Sequence, residues 1–216
     1  MYHSSYPAGG RRPGWKGFAM TDCLFVSDLH GRMDRYRKLF AVVAGERPRA
    51  LFVGGDILPH VPGKPRDFLG EYLLPELARL RADLGEEAPR VFLVLGNDDG
   101  RADEERLLEA EAAGILSYAH GRAAAFGTWS VYGYAFTPPS PFLLKDWERY
   151  DVSRYVDPGC ISPEEGSYSV PVAPEKARYA TISEDLGRLA QVRRAGGAGD
   201  CARTLAVLDE HALWPG

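Results

Sequence analysis

Three short apolar runs, each followed by a polar loop and then a stretch with helical spacing, constrain this 216-residue chain more than any other feature. Residues 22–26 read as a strand, 27–32 as a polar loop and 34–44 as a helix. Residues 49–53 form the second run, closed by Gly54 and Gly55. Across 66–84, Phe68, Tyr72, Leu73, Leu77, Leu80 and Leu84 recur at helical intervals, and Pro75 is placed to kink or restart that helix. Residues 90–95 make the third run, closed by Gly96, and 102–113 read as a helix rich in Glu and Leu. Parallel strands need crossover helices between them, so the alternation predicts a layered α/β fold with an at least partly parallel sheet.

After Gly114 the pattern changes. Residues 129–135 alternate aromatic and small side chains, as an antiparallel or mixed strand does. A long irregular stretch follows, dense in Pro and Ser at 137–141 and loop-like at 142–150 and 158–174. Helical spacing returns over 181–194, with Thr181 or Ser183 as cap, and 195–199 form a Gly/Ala linker to a final strand at 204–208. Residues 1–19 lack the apolar core of a secretory signal and read as a disordered leader to a domain over 20–216; translation starts either upstream of it or at Met20.

Composition narrows the class. With 45% hydrophobic and 26% charged residues, wholesale disorder, a collagen-like fibre and a coiled coil are excluded. A net charge of −4 gives no general attraction to nucleic acid or to an anionic membrane, so a phosphate-bearing ligand needs a local site. No apolar run approaches the roughly 20 residues that cross a bilayer. Cys23, Cys160 and Cys201 are too few for a disulfide framework. A cytoplasmic location is therefore expected.

Each of the first three strands ends in residues that carry chemistry: Asp28 and His30, then Asp56, then Asn97, Asp98 and Asp99. That edge is where open α/β sheets bind ligands. Carboxylates, an imidazole and a carboxamide form a hard-to-borderline donor set suited to Mn, Fe, Zn or Mg. Asn97 is the only Asn in the chain; taken alone, a Gly-Asn turn is the favoured explanation, and within the pattern of three strand-end groups a neutral oxygen ligand is.

The segments Asp28-Leu29-His30-Gly31, Gly55-Asp56 and Gly96-Asn97-Asp98-Asp99, in that order, resemble three motif blocks of the calcineurin-like metallophosphoesterases. The stretch 132–154 is similar to a bacterial subgroup of that family. The resemblance implies an αββα sandwich with two divalent metal ions between its sheets. By position, Asp28 and His30 would bind the first metal, Asp56 would bridge both, and Asn97 would bind the second. Asp98 and Asp99 then become the catalytic candidates. Two metals about 3.5–4 Å apart acidify a bridging water and neutralise phosphoryl charge during in-line attack. The implied activity is hydrolysis of phosphomonoesters or phosphodiesters, with a small phosphate ester as substrate and nucleic acid disfavoured by the acidic charge.

The sequence departs from the family at two places. Asp98 stands where many members place a proton-donating His, and metal cations nearby would lower the pKa of a carboxylate there. No GHxH block occurs, and the strand at 204–208 is followed by Asp209 and His211 rather than by the expected His ligand. Asp209 or His211 is the substitute on offer, and His60, four residues after Asp56, reads as a phosphate contact or a solvated loop residue. The C-terminal part of the fold is expected to be incomplete, by truncation or frameshift after about Leu208. The alternative function is a non-catalytic scaffold or regulatory remnant of the same fold. Of the other polar residues, Asp34 reads as a first-turn acid, Arg32 as a phosphate contact or an ion-pair partner, and His3 and His120 as surface residues. Asp146, Arg149 and Asp151 read as part of a solvated face.

Overall fold

The computed structural model describes residues 23–59, 67–195 and 203–208. Strands β1 (Cys23–Val26), β2 (Ala50–Gly54), β3 (Arg90–Val94) and β4 (Ser117–Tyr118) form a parallel sheet in the order of the chain, with Val26 opposite Val53 and Val53 opposite Leu93. β2 is buried along its whole length and β3 from Val91 onward, which is why both read as unbroken apolar runs. Because spatial order follows chain order, right-handed crossovers place all connecting helices on one face of the sheet.

Helix α1 (Met33–Glu46) buries Tyr36, Leu39, Phe40 and Val43, an i, i+3, i+4, i+7 stripe. The expected helix over 66–84 restarts rather than runs through. Residues Leu69–Leu73 wind as a π-turn, with the Leu74 N–H reaching the carbonyl of Leu69, and α2 (Leu74–Leu84) begins with Pro75 in its first turn. A proline is tolerated there because it has no N–H to offer the preceding turn. Helix α3 (Glu104–Ala112) follows a short 3₁₀ turn and buries Leu107 and Ala110.

The opposite face of the parallel sheet is covered by a second sheet. β5 (Arg122–Phe126) and β6 (Trp129–Tyr134) form a hairpin closed by a two-residue turn, with Gly127 at φ +58°, and β7 (Arg203–Leu208) runs parallel to β6. β7 lies against β2 and β3, and Phe126 meets Phe92 edge-on at 5.8 Å across the interface. Helix α5 (Ile182–Ala195) packs on β5, with the Glu184 amide donating to the Thr181 hydroxyl at 3.2 Å, so Thr181 is the cap. The architecture is mixed α/β, with a four-stranded parallel sheet flanked by helices.

The stretch between Tyr134 and Thr181 contains the short helix α4 (Pro174–Tyr179) and otherwise only isolated bridges, such as Thr137 with Glu148 and Tyr150 with Thr181. Here the structure corrects the solvated-face reading. Asp146 is buried, Arg149 is half-buried, and of the three only Asp151 is exposed. Asp146 accepts the Ser169 amide at 2.9 Å and the Arg101 amide at 2.7 Å. Beside it the fully buried Lys145 pairs with Glu148 and donates to the Ser140 carbonyl at 2.9 Å. Charges become buriable once distant partners satisfy them, and those partners lie up to 45 residues away in the chain.

Candidate metal centre

The loops after β1 and β2 are tied together by their backbones. The Asp28 amide donates to the Gly55 carbonyl at 3.3 Å, His30 to Asp56 at 2.7 Å and Gly31 to Ile57 at 2.9 Å. Tyr36, from α1, holds the Ile57 carbonyl at 2.9 Å through its hydroxyl, and Arg35 donates to the Asp28 carbonyl. The clasp forces an unusual backbone. Asp28, His30 and Asp56 have φ of +56°, +47° and +51°, and they are three of the four non-glycine residues with positive φ among those described. Such a conformation costs an L-residue about 1–2 kcal/mol. The fourth, Arg47, is an ordinary helix C-cap.

Two glycines are required by this arrangement. Gly31 has φ +62°, and a Cβ there would press on the backbone of Pro59. A Cβ on Gly96 would strike the Asp56 carboxylate and amide, so Gly96 is what allows the third loop to close over Asp56.

One donor atom from each of Asp28, His30 and Asp56 lies within 4.8 Å of the others. His30 Nε2 stands 3.6 Å from Asp28 Oδ1, and its Nδ1 stands 3.8 Å from Asp98 Oδ2. Asp56 is buried, and the Asp98 amide donates to its Oδ1 at 3.0 Å. Burial pushes the Asp56 carboxyl above its ordinary value; the Asp98 amide opposes that shift, and the neighbouring charges of Asp98 and Asp28 add to it. Three carboxylates around one imidazole carry more negative charge than the ring balances, and two of them with the imidazole suit a hard-to-borderline divalent ion. These residues fit the Mn, Fe, Zn or Mg expected from the sequence.

The remaining candidates fall in different places. Asn97 is buried on the third loop. Asp98 belongs to the group through His30 and Asp56. Asp99 is fully buried, and its carboxylate accepts the amides of Leu58 at 2.8 Å, Gly96 at 2.9 Å and Ile57 at 3.1 Å. That geometry makes Asp99 a positioning residue that pins the loop after β2 to the loop after β3; burial raises its pKa to about 7 against those three amides. His60, Asp209 and His211 lie outside the described residues. Asp34 is exposed in the first turn of α1, with Arg32 Nε at 3.4 Å.

His120 is not the surface residue expected. It is half-buried among Tyr118, Tyr134, Phe136 and Trp147, with the Trp147 ring 4.9 Å away, and its Nδ1 accepts the Ala135 amide at 3.0 Å. The signal that would have placed it is the short strand β4 just before it, which has no periodicity to read. No helix among the described residues is long and apolar enough to cross a membrane.

Comparison with protein-family models and with curated proteins finds no match. Among solved structures, the chain is similar to TT1561 of Thermus thermophilus, at 14% identity over 81% of this chain and 64% of that one, with a TM-score of 0.44. It is also similar to a second crystal structure, at 24% identity over 55% of each chain, with a TM-score of 0.39. The chain thus covers less than two thirds of the length of either structure.

Proposed function

We propose that this chain is a metal-dependent phosphohydrolase of the calcineurin-like metallophosphoesterase type, built as an αββα sandwich and acting on a small phosphomonoester or phosphodiester. The observation that carries the reading is the coincidence of two properties in Asp28, His30 and Asp56. Their donor atoms converge within 4.8 Å, and all three sit in left-handed backbone that costs stability. Strain of this kind clusters at functional sites, and the clasp that imposes it here is the one that brings the three side chains to one point.

In this reading Asp28, His30 and Asp56 hold the metal, with Asn97 as a further oxygen donor on the third loop. Two divalent ions so held would acidify a water and neutralise the phosphoryl charge. The chain's own residues then divide the remaining work. Asp98 orients His30 from the Nδ1 side and holds Asp56 through its amide, while Asp99 and Gly96 keep the third loop against the second. A second reading, a metal-binding remnant without turnover, rests on the donor count: among the described residues Asp28, His30 and Asp56, with Asn97 added, supply four donor residues, fewer than two ions need.

Hydrolysis of an aryl phosphate and a bis-aryl phosphodiester, with Mn²⁺ added, decides between them. Mn²⁺-dependent turnover that disappears in Asp56→Asn supports the phosphohydrolase. Metal bound without turnover by the folded protein selects the remnant, and absence of metal binding overturns both.

A further inference from the structure

Apart from the carboxylate group, a cavity of about 260 Å³ opens beside the end of β4, between the segment after β6 and helices α4 and α5. Its charged lining is Arg101, Arg149, Lys176 and Arg188 against Asp185, with Glu104 paired to Arg101 at 3.0 Å. The chain carries 30 acidic residues to 26 Lys and Arg, so this local balance reverses the general one. Asp185 is already engaged: it accepts the Tyr134 hydroxyl at 2.8 Å and pairs with Arg149 and Arg188. Lys176 forms no ion pair among the described residues, and partial desolvation together with the charges of Arg149 and Arg101 lowers its pKa.

His120 also lines the cavity. Since its Nδ1 accepts the Ala135 amide, the neutral ring carries its proton on Nε2 and is a donor there. Burial, then the charges of Arg101 and Arg149, push its pKa down to about 3 and keep the ring neutral. Polar groups in the wall are therefore mainly donors, backed by an excess of positive charge. Tyr134 and Phe136 border the cavity from the buried core, with the Arg149 guanidinium 3.7 Å above the Phe136 ring. A complementary ligand is rich in acceptors, negatively charged and partly apolar.

We propose that this cavity is a second binding site, for a small organic anion whose phosphate or carboxylate group lies among Arg101, Arg149 and Lys176 and whose body fills the rest of the cavity. Arginine forks suit both anions, since each offers paired oxygens. The volume lies just below the roughly 300–1,000 Å³ of sites for drug-sized molecules, so the ligand is about one ring or a short chain in size. No lining residue belongs to the carboxylate group, and the site stands or falls independently of the metal reading.

The test is calorimetric titration of the EDTA-treated protein with phenyl phosphate and with benzoate. At least one of the two binds, and the stronger binder identifies the preferred anion. Lys176→Glu weakens that binding by at least about tenfold, as loss of one hydrogen bond to a charged group predicts. Lys176 is exposed, and circular dichroism verifies that the variant folds. Asp56→Asn leaves the affinity unchanged. The proposal is overturned if neither anion binds at millimolar concentration, if folded Lys176→Glu binds as well as the parent chain, or if binding is lost in Asp56→Asn.

Discussion

His120 shows how one side chain ties stability to pH. Its pKa of about 3 in the folded protein lies below the ordinary histidine value of about 6.5, so on acidification the unfolded chain takes up the proton first. The contribution is complete above pH ~6.5 and is lost as pH falls toward 3, at up to about 1.4 kcal/mol per pH unit. Urea unfolding at pH 7, 6 and 5 measures this against His120→Gln. The parent chain loses more stability over that interval than the variant; equal losses would refute the assignment. Asp99, also buried, has the opposite sign: it is harder to ionise in the fold than out of it, and three amides offset part of that penalty.

Among the elements, the segment between β6 and α5 depends most on polar contacts. Lys145 and Glu148 are fully buried as a pair, with Ser140 donating to Glu148 from its amide at 2.8 Å. Lys145→Met leaves a buried carboxylate without its cation and should cost about 3–5 kcal/mol, whereas Lys145→Met with Glu148→Leu recovers much of that loss. Thermal unfolding of the two variants measures the difference. This segment also shows why periodicity reads some elements and not others. β2 and β3 were legible because both of their faces are buried and their residues are apolar throughout. β5 was not: Ala123, Ala124 and Ala125 favour no strand, and they pair with β6 only because the turn at Gly127 folds the hairpin back. Likewise Asp28, His30 and Asp56 were legible from their place at strand ends, while Asp99's clamp spans about 40 residues of chain and leaves no local trace.

At the scale of the molecule, the consecutive order of the parallel strands brings every loop after a strand to one edge of that sheet, and Asp28, His30 and Asp56 collect there with no insertion needed. If that edge holds a divalent ion, binding to the folded state alone raises its stability by about 2.7 kcal/mol at a hundredfold excess over Kd. Added Mn²⁺ therefore raises the melting temperature of the parent chain and leaves that of Asp56→Asn unchanged. Equal melting temperatures with and without Mn²⁺, at concentrations that saturate a micromolar site, would count against the centre.

The left-handed backbone at Asp28, His30 and Asp56 sets up a trade-off between durability and use. Glycine would occupy those positions with less strain, so selection for a robust fold alone would work against the candidate ligating side chains. A screen for heat-resistant variants of this chain, run without metal, is thus biased toward sequences that have discarded the candidate site. Stabilising it for practical use means protecting those three positions and seeking gains elsewhere.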